Sequence, residues 1–397
     1  MRLRTQKLRS ELLLTLIAAV PVASQAARVT VVQLTQTLTA DVGAHKPDAE
    51  MARQIAGMEL SERLTEATLA RLTATLHADP RAALALQLLA DQSVFLDPPA
   101  SELPPSPSPD DAAQQRLLEA ARSYVAQILP RLPNLLATQT TNRYDDSPQE
   151  IQKGDWPIRA GLHLVDTSSR EISVYQETAN RSATVASVRW QKQIGLTSGG
   201  EFASTLGMIL TDTLRGKVTW SHWEKIATGQ AAAFHYSVPR SASHFEVIGS
   251  LQRPAAVEGR PVQIGNSGPS GIGARPSAKS SDSSTSLTTP GYHGSLWLDP
   301  ATGSILRVTV EVDAKESVPF QRAAIMVQYG PVQIGNREFI CPVLSVALSR
   351  ALSGANPDPI THLPGDAPTL WLNESMFTAY HRFGSTVRVV PGAQVPQ

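Results

Sequence analysis

The chain of 397 residues contains a single cysteine, Cys341. An intramolecular disulfide needs two cysteines, so the fold must be held together by its core and not by covalent cross-links. A lipoprotein signal needs a cysteine at its cleavage site, and Cys341 lies far from the N-terminus. Because residues 339–344 around it form an apolar run, we expect a buried and unreactive thiol.

An excess of charge is also missing, since the chain has 35 basic (Lys and Arg) and 35 acidic side chains. Proteins that bind nucleic acid through its phosphates carry a basic patch or stripe, and no such stripe occurs along this chain. The composition therefore argues against a nucleic-acid partner.

Familiar catalytic and metal-binding motifs are absent from the sequence. It has no HExxH, no EF-hand loop, no phosphate-binding loop and no paired CxxC. The serines at 267 and 270 lie between glycines without the spacing of a nucleophile elbow, and the acidic side chains between 145 and 155 lack calcium-loop spacing. We therefore expect no cofactor and no resident metal.

The first 26 residues have the three-part layout of a secretory signal peptide. Basic residues precede an apolar run at 12–22, and the small residues Ser24 and Ala26 follow it. A retained anchor is the alternative, but the run is about half of the roughly 20 residues that a membrane helix needs. No later segment is long and apolar enough to cross a bilayer, so we expect an extracytoplasmic protein, periplasmic or secreted.

Hydrophobic periodicity divides the rest of the chain in two. Residues 27–145 are predicted to form a helical domain, with helices beginning near Asp79 and Asp110 and a proline-rich linker at 97–109. After Arg131 the period changes towards two, which is typical of strands. Residues 146–397 are therefore predicted to form an antiparallel β domain, with a flexible insertion at 265–290 that is poor in large apolar side chains.

Within the β domain, local signals predict a helix and two reversals. Residues 202–213 carry an amphipathic stripe suited to lying across a sheet. Residues 299–303, Asp-Pro-Ala-Thr-Gly, form the turn of a hairpin between 294 and 313, with one face buried and the other in water. The hexapeptide PVQIGN occurs twice, and its second copy ends at Gly335-Asn336, where two strands must reverse. The predicted fold is α+β, with a curved antiparallel sheet and a packed helix.

One segment, TWSHWEKIATGQAAAFHYSV at 219–238, offers candidate catalytic residues. It reads as a hairpin in which a two-residue loop, Thr228-Gly229, sets His222 opposite His235, with Glu224 on the same face. Two imidazoles and a carboxylate could act as a general acid and base pair or bind a metal. The alternative is that they are ordinary hydrogen-bonded histidines beside a tryptophan-rich core. Four further histidines, His163, His244, His293 and His381, are too scattered along the chain to assign.

The C-terminal half resembles a known family through the order of three segments, GGEFASTLGMILTDTL, TWSHWEKIATGQAAAFHYSV and YHGSLWLDPATGSILRVTV. A helix and two hairpins in this order resemble the open half-barrel of periplasmic lipoprotein carriers and related outer-membrane sorting proteins. The phrase Gly294 to Gly303, with Arg307 after it, looks like their central hairpin. The helical N-terminal region and the insertion depart from that pattern, and no lipid-contacting residue can be mapped.

The whole chain also resembles a group of uncharacterised exported bacterial proteins, through GMELSERL at 57–64, PRLPNLLAT at 130–138 and YGPVQIGN at 329–336. That group implies no activity. Together the two resemblances imply an architecture more than a reaction.

Three hypotheses of function follow. The first is an exported, non-catalytic binding or interaction protein of the cell envelope, holding a lipid, a lipoprotein or an apolar peptide on a concave sheet. The second is a hydrolase or metal-dependent enzyme that uses His222, His235 and Glu224. The third is a structural scaffold whose helical domain docks an envelope protein through an apolar surface.

Export gives the first testable prediction. Protein recovered from the envelope or medium of a bacterial host should begin at Ala27, because cleavage is expected after Ala26. Intact mass measurement checks this, and a mass that includes the first 26 residues would show a retained anchor instead.

Overall fold

The structure is a computed structural model that describes residues 28–76, 80–128, 131–147, 161–174, 196, 204–226, 229–245, 247–251, 284–313, 320–351 and 369–382. The predicted signal peptide and residues 265–283 of the predicted insertion lie outside these ranges, as does the first copy of PVQIGN.

The described chain has six α-helices, most of which precede the large sheet. They are α1 (Val31–Gly43), α2 (Asp48–Ala56), α3 (Glu66–Thr75), α4 (Pro80–Ser93), α5 (Asp111–Ile128) and α6 (Ser204–Asp212). Side chains cap several of them; at the predicted start of α5, Asp110 Oδ1 accepts a hydrogen bond from Ala113 N at 2.7 Å. None of the described helices is both long enough and apolar enough to cross a membrane.

Strands make up most of the remaining described chain. They are β1 (Arg28–Val29), β2 (Glu59–Leu60), β3 (Leu135–Asp145), β4 (His163–Val174), β5 (Lys217–Ile226), β6 (Gly229–Val238), β7 (Val247–Leu251), β8 (Ser284–Thr288), β9 (Tyr292–Leu298), β10 (Ile305–Val312), β11 (Phe320–Ile334), β12 (Arg337–Ala351) and β13 (Thr369–Arg382).

Nine of these strands form one antiparallel sheet in the order β4-β3-β13-β12-β11-β10-β9-β6-β5. Most neighbours are also consecutive in sequence, but β13 pairs with β3, which lies more than 200 residues earlier. In the described chain β4 and β5 are the two edges, so the sheet is open. The predicted α+β class with a curved antiparallel sheet and a packed helix is confirmed.

The change from helix to strand occurs at Leu135, earlier than the domain boundary predicted at 145/146. β3 buries alternate side chains from Leu135 to Thr141, which matches the change of period seen after Arg131. The end of the predicted flexible insertion also differs, because β8 (Ser284–Thr288) pairs with β7. Backbone hydrogen bonds to a neighbouring strand order this polar segment, which has little apolar surface of its own.

Both predicted reversals in the β domain are present. Asp299 and Ser304 close the β9–β10 turn through a backbone hydrogen bond of 2.9 Å, and Gly303 has a φ of +73°. Gly335 has a φ of +65° in the two-residue turn between β11 and β12. Positive φ angles favour glycine, which has no Cβ to clash with the backbone. The second PVQIGN is therefore a strand end and a turn, as predicted.

One face of the sheet is apolar over β6, β9, β10 and β11. Its side chains form a single core with α5 and α6, in which Phe234, Leu296 and Val308 meet Ala121 and Ile209. The predicted amphipathic helix at 202–213 thus packs on the sheet. Cys341 is buried in a neighbouring apolar cluster, and burial raises the pKa of its thiol to about 12, which keeps it unreactive.

The opposite face is polar over part of the sheet, and the prediction that this face is wet was wrong for the β9–β10 hairpin. Thr309 of β10 is only 3% exposed. The N-terminal helical region covers this face: Leu88 of α4 packs on Met326 and Leu372, and Arg307 bonds to Glu66. Polar side chains of the hairpin that would face water on a two-layer protein instead form an internal hydrogen-bonded network.

Asp91 of α4 lies in this covered layer and gives a prediction about stability and pH. Burial, and next the charge of Glu374, raise the pKa of Asp91 from 3.8 to about 8, although a hydrogen bond from Gln87 opposes the shift. The folded protein therefore holds a proton that the unfolded chain releases above pH 4. The free energy of unfolding should fall as the pH rises from about 4 to about 8.

Asp91→Asn removes this titration, so its urea midpoint should change less with pH between 4 and 8. At pH 8 the variant should be more stable than the parent by about 2 kcal/mol or more, since one unit of pKa shift corresponds to about 1.4 kcal/mol. Asp111→Asn, at an exposed position, is the control. Equal pH slopes for the parent and Asp91→Asn would contradict the prediction.

Candidate functional site: a polar cleft between helices and sheet

The register predicted for the β5–β6 hairpin was wrong. Ile226 pairs with Gly229, whereas the predicted register pairs Ala227 with Gln230. A register shift between Trp220 and His222 then places one extra residue, Ser221, in β5. As a result His222 pairs with Ala233, and His235 pairs with Thr219.

The same irregularity nevertheless links the two histidines. Ser221 Oγ lies 2.7 Å from Nδ1 of His222 and 3.0 Å from Nε2 of His235. His222 Nε2 in turn lies 3.3 Å from Glu224 Oε2. All three candidates proposed from the sequence therefore belong to one hydrogen-bonded chain, and a serine of the bulge connects the two imidazoles.

Glu224 is the buried end of this chain and is fully engaged by neighbouring side chains. Its Oε2 accepts hydrogen bonds from Arg63 Nη2 at 2.5 Å and from Trp297 Nε1 at 2.6 Å. Arg63 itself is 2% exposed, and its guanidinium carbon lies 5.2 Å from the centre of the Trp297 ring. The carboxylate thus joins the helical region to β5 and β9.

A second arginine completes the network from β10. Arg307 Nη1 is 3.7 Å from Glu224 Oε1, and its guanidinium carbon lies 5.4 Å from the Trp297 ring centre. Burial alone would raise the pKa of Glu224, but the hydrogen bond from His222 and the charges of Arg63 and Arg307 outweigh burial and lower it to about 2. A carboxylate held this strongly in its ionised form is a poor general base near neutral pH, so its role is structural.

Next to this network a cleft of about 540 Å³ opens between the helical region and the polar face of the sheet. Its walls are two helical-region segments and three strands. Lining residues are Ser61, Glu62, Phe95, Leu96, Asp97 and Pro98 on one side, and His235, Tyr236, His293, Gly294, Ser295, Thr309 and Glu311 on the other. A volume of this size matches the range of small-molecule sites, roughly 300–1,000 Å³.

His235 spans the cleft from the sheet to the helical region. Its Nε2 lies 3.3 Å from Asp97 Oδ2, and its Nδ1 lies 2.8 Å from Ser295 Oγ. The hydrogen bond with Asp97 is the main reason that the pKa of His235 is raised and that of Asp97 is lowered. Arg63 N donates to Asp97 O at 2.7 Å, which fixes the backbone beside this pair.

The proline-rich linker that begins at Asp97 is fastened to the same hairpin. It forms a short 3₁₀ turn at Ala100–Glu102 and is then irregular. Pro107 O accepts a hydrogen bond from Trp223 Nε1 at 2.8 Å, and Ser106 Oγ accepts one from Gln230 Nε2 at 3.2 Å. The linker is therefore a strap across β5 and β6 that helps to hold Asp97 over the cleft.

At the other end of the cleft, His293 lies between two acidic side chains. Its Nε2 is 3.6 Å from Glu311 Oε1, and its Nδ1 is 2.8 Å from Asp313 Oδ1. Hydrogen bonding to Glu311 is the largest cause of a raised pKa for His293. Glu311 also accepts two hydrogen bonds from Arg322, whose guanidinium lies over the Phe95 ring at 5.4 Å.

Among the described residues no group of three or more acidic, histidine or cysteine side chains has the geometry to hold a metal ion.

Comparisons with known proteins add no assignment. The chain matches no protein-family model, no curated protein and no solved structure. The similarity to lipoprotein carriers stays a prediction, and function has to be argued from geometry.

Sequence reasoning found three members of the site and missed the others. In the sequence Asp97 marks only the start of a linker, and Ser295 and Trp297 are only part of a hairpin. Arg63 bonds to Glu224 across 161 residues of sequence, so no local pattern could connect them. Two other members of the site do have a local signal in the sequence. Arg307 and His293 occupy strand positions that alternate with apolar residues on a hairpin.

The buried network gives a second prediction about stability. Glu224→Gln leaves Arg63 buried without its counter-charge, which should lower the free energy of unfolding by about 3–5 kcal/mol. Urea denaturation at pH 7 measures this. Glu59→Gln, which alters the exposed pair with Arg28, is the matched control and should cost no more than about 1 kcal/mol.

The loss of stability caused by Glu224→Gln should also depend on pH. Since the folded pKa of Glu224 is about 2 and its ordinary value is 4.5, the stabilisation is present above pH 4.5 and is lost between pH 4.5 and 2. The difference between the parent and Glu224→Gln should therefore shrink over that interval. A constant difference would contradict the role given to this carboxylate.

Proposed function

We propose that the protein is an exported binding protein whose ligand site is the polar cleft between the helical region and the sheet. The observation that carries the proposal is the cleft itself, a space of about 540 Å³ whose two walls come from the two parts of the chain. Small-molecule sites commonly lie where two such parts meet and combine aromatic surface with a few placed polar groups. Phe95 provides the aromatic surface here, and Ser295 and Thr309 provide polar groups.

The charge of the walls indicates the class of ligand. Glu62, Asp97 and Glu311 line the cleft, and the charge of each histidine depends on the pH. When His235 and His293 are neutral, the carboxylates give the cleft a negative potential that attracts a cation. Arg322 illustrates this preference, since its guanidinium lies between Glu311 and the Phe95 ring. A small polar ligand with an amine or guanidinium group fits best.

A lipid or apolar peptide, the ligand considered first from the sequence, has less support. Such a ligand needs an exposed apolar surface on the sheet, yet the apolar face over β6, β9 and β10 packs on α5 and α6. The similarity to lipoprotein carriers therefore favours the open sheet and the cell-envelope location more than lipid transport. Export itself is supported by the N-terminal sequence pattern.

For the alternative that the protein is an enzyme, the candidate catalytic residues differ from the three proposed from the sequence. Glu224 is committed to Arg63 and Trp297, whereas His235 is placed in the cleft beside Asp97 and two serines. An enzyme acting in this cleft would therefore centre on His235.

Thermal unfolding in the presence of charged and neutral probes tests the proposal. Spermidine, L-arginine and choline are the cationic probes, and glucose and citrate are the neutral and anionic ones. At least one cation should raise the Tm in a saturable way, because a ligand at 100 times its Kd stabilises by about 2.7 kcal/mol.

Glu62→Gln is the site variant, and it keeps an oxygen to accept the hydrogen bond from Val31 N. It should weaken binding of that cation about tenfold, as expected for the loss of one charged contact. Glu59→Gln, outside the cleft, should bind like the parent. Equal shifts with cations, glucose and citrate, or no effect of Glu62→Gln, would refute a cation site in the cleft.

A further inference from the structure

The hydroxyl group of Ser295 lies in the cleft and is hydrogen-bonded to a histidine. Ser295 lies on β9 facing the helical region, lines the cleft and is 8% exposed. Its Oγ is 2.8 Å from Nδ1 of His235. The backbone N of Ser295 donates to Thr309 Oγ1 at 2.9 Å, which fixes the serine on the sheet.

A chain of hydrogen bonds runs from His235 to Glu224 and determines which nitrogen of each imidazole carries a proton. Ionised Glu224 can only accept, so His222 donates to it from Nε2. Neutral His222 then accepts at Nδ1 from the Ser221 hydroxyl, and the Ser221 oxygen accepts from Nε2 of His235. Neutral His235 is left with a free lone pair on Nδ1, pointing at the Ser295 hydroxyl.

Asp97 reinforces this assignment from the helical side. Its Oδ2 is 3.3 Å from the same Nε2 of His235, so two acceptors hold the proton there. An imidazole with one nitrogen on a carboxylate and the other on a serine hydroxyl has the arrangement that activates a serine nucleophile. Here the nitrogens are exchanged relative to the Ser-His-Asp arrangement of serine proteases, with Nδ1 facing the nucleophile.

We propose that Ser295 is a nucleophile that accepts an acyl group from an ester bound in the cleft, with His235 as its general base. The inference rests on the proposed function only in requiring that a small molecule can enter the cleft. The carboxylates of the lining favour a neutral or cationic ester over an anionic one.

The reaction is balanced by groups in the site. As the bond from Ser295 Oγ to the carbonyl carbon forms, the hydroxyl proton moves to Nδ1 of His235, and Asp97 stabilises the imidazolium. The bond from the carbonyl carbon to the leaving oxygen then breaks, and the leaving oxygen takes the proton from Nδ1. Attack by water through the same base releases the acid and restores the Ser295 hydroxyl.

Labelling of the full chain with a neutral alkyl fluorophosphonate tests the nucleophile. Intact mass measurement should show one adduct, and peptide mapping should place it on Ser295. Ser295→Ala should remove the adduct, and His235→Gln should slow labelling by about 100-fold or more. Ser345→Ala, at a buried serine of β12 outside the cleft, should label like the parent.

The pH dependence separates a base from a structural histidine. Labelling requires neutral His235, so its rate should rise with pH, with a midpoint above the ordinary histidine value of 6.5 because Asp97 raises the pKa. In Asp97→Asn the midpoint should move to lower pH. The release of nitrophenol from 4-nitrophenyl acetate, compared with anionic 4-nitrophenyl hydrogen succinate, tests the ester preference in the same way.

An unlabelled parent protein with a normal unfolding transition would overturn the proposal, as would an adduct that persists in Ser295→Ala. The two proposals are separated by measuring, on Ser295→Ala, the change in Tm caused by spermidine, L-arginine and choline. Cation binding without labelling refutes only the nucleophile, and labelling without cation binding refutes only the cation site.

Discussion

The architecture of the site depends on one buried carboxylate. Glu224 receives hydrogen bonds from the helical region through Arg63 and from β9 through Trp297, and it faces Arg307 of β10. Burying these charges separately would cost several kcal/mol each, so they are tolerable only together. Because their geometry is specific, this group of residues fixes how the helical region lies on the polar face of the sheet. The cleft exists as the space left beside that contact.

The helical region forms a third layer over the polar face of the sheet, so polar residues on this face need not contact water. Alternation of apolar and polar residues on β10 is the signature of a strand with one face in water. Here the polar residues bond to one another and to the helical region, as in the contact of Arg307 with Glu66 at 3.0 Å. Arginine suits this position because its planar group can pair with carboxylates and lie over an aromatic ring at the same time.

Elements with strong local signals could be predicted from the sequence, and long-range geometry could not. Asp110 marked the start of α5, and Gly335 marked the reversal after β11, because capping and positive φ depend on adjacent residues. The bulge at Ser221 has no such local mark. The pairing of Ile226 with Gly229 places His222 opposite Ala233. The extra residue Ser221 then moves His235 opposite Thr219, and its hydroxyl links the two imidazoles. The contact of Arg63 with Glu224 depends on the completed fold.

The pairing of β13 with β3 has a consequence for how the chain reaches its final state. β3 emerges early in synthesis, but its neighbour on the β13 side is the last strand of the described chain. Until β13 arrives, β3 and β12 each present an unpaired edge, and such edges readily pair with other chains. Contacts so distant in sequence also form slowly. The nascent protein therefore passes through a vulnerable period, whose length is set by the time needed to synthesise β13, and a chaperone would protect it most during that period.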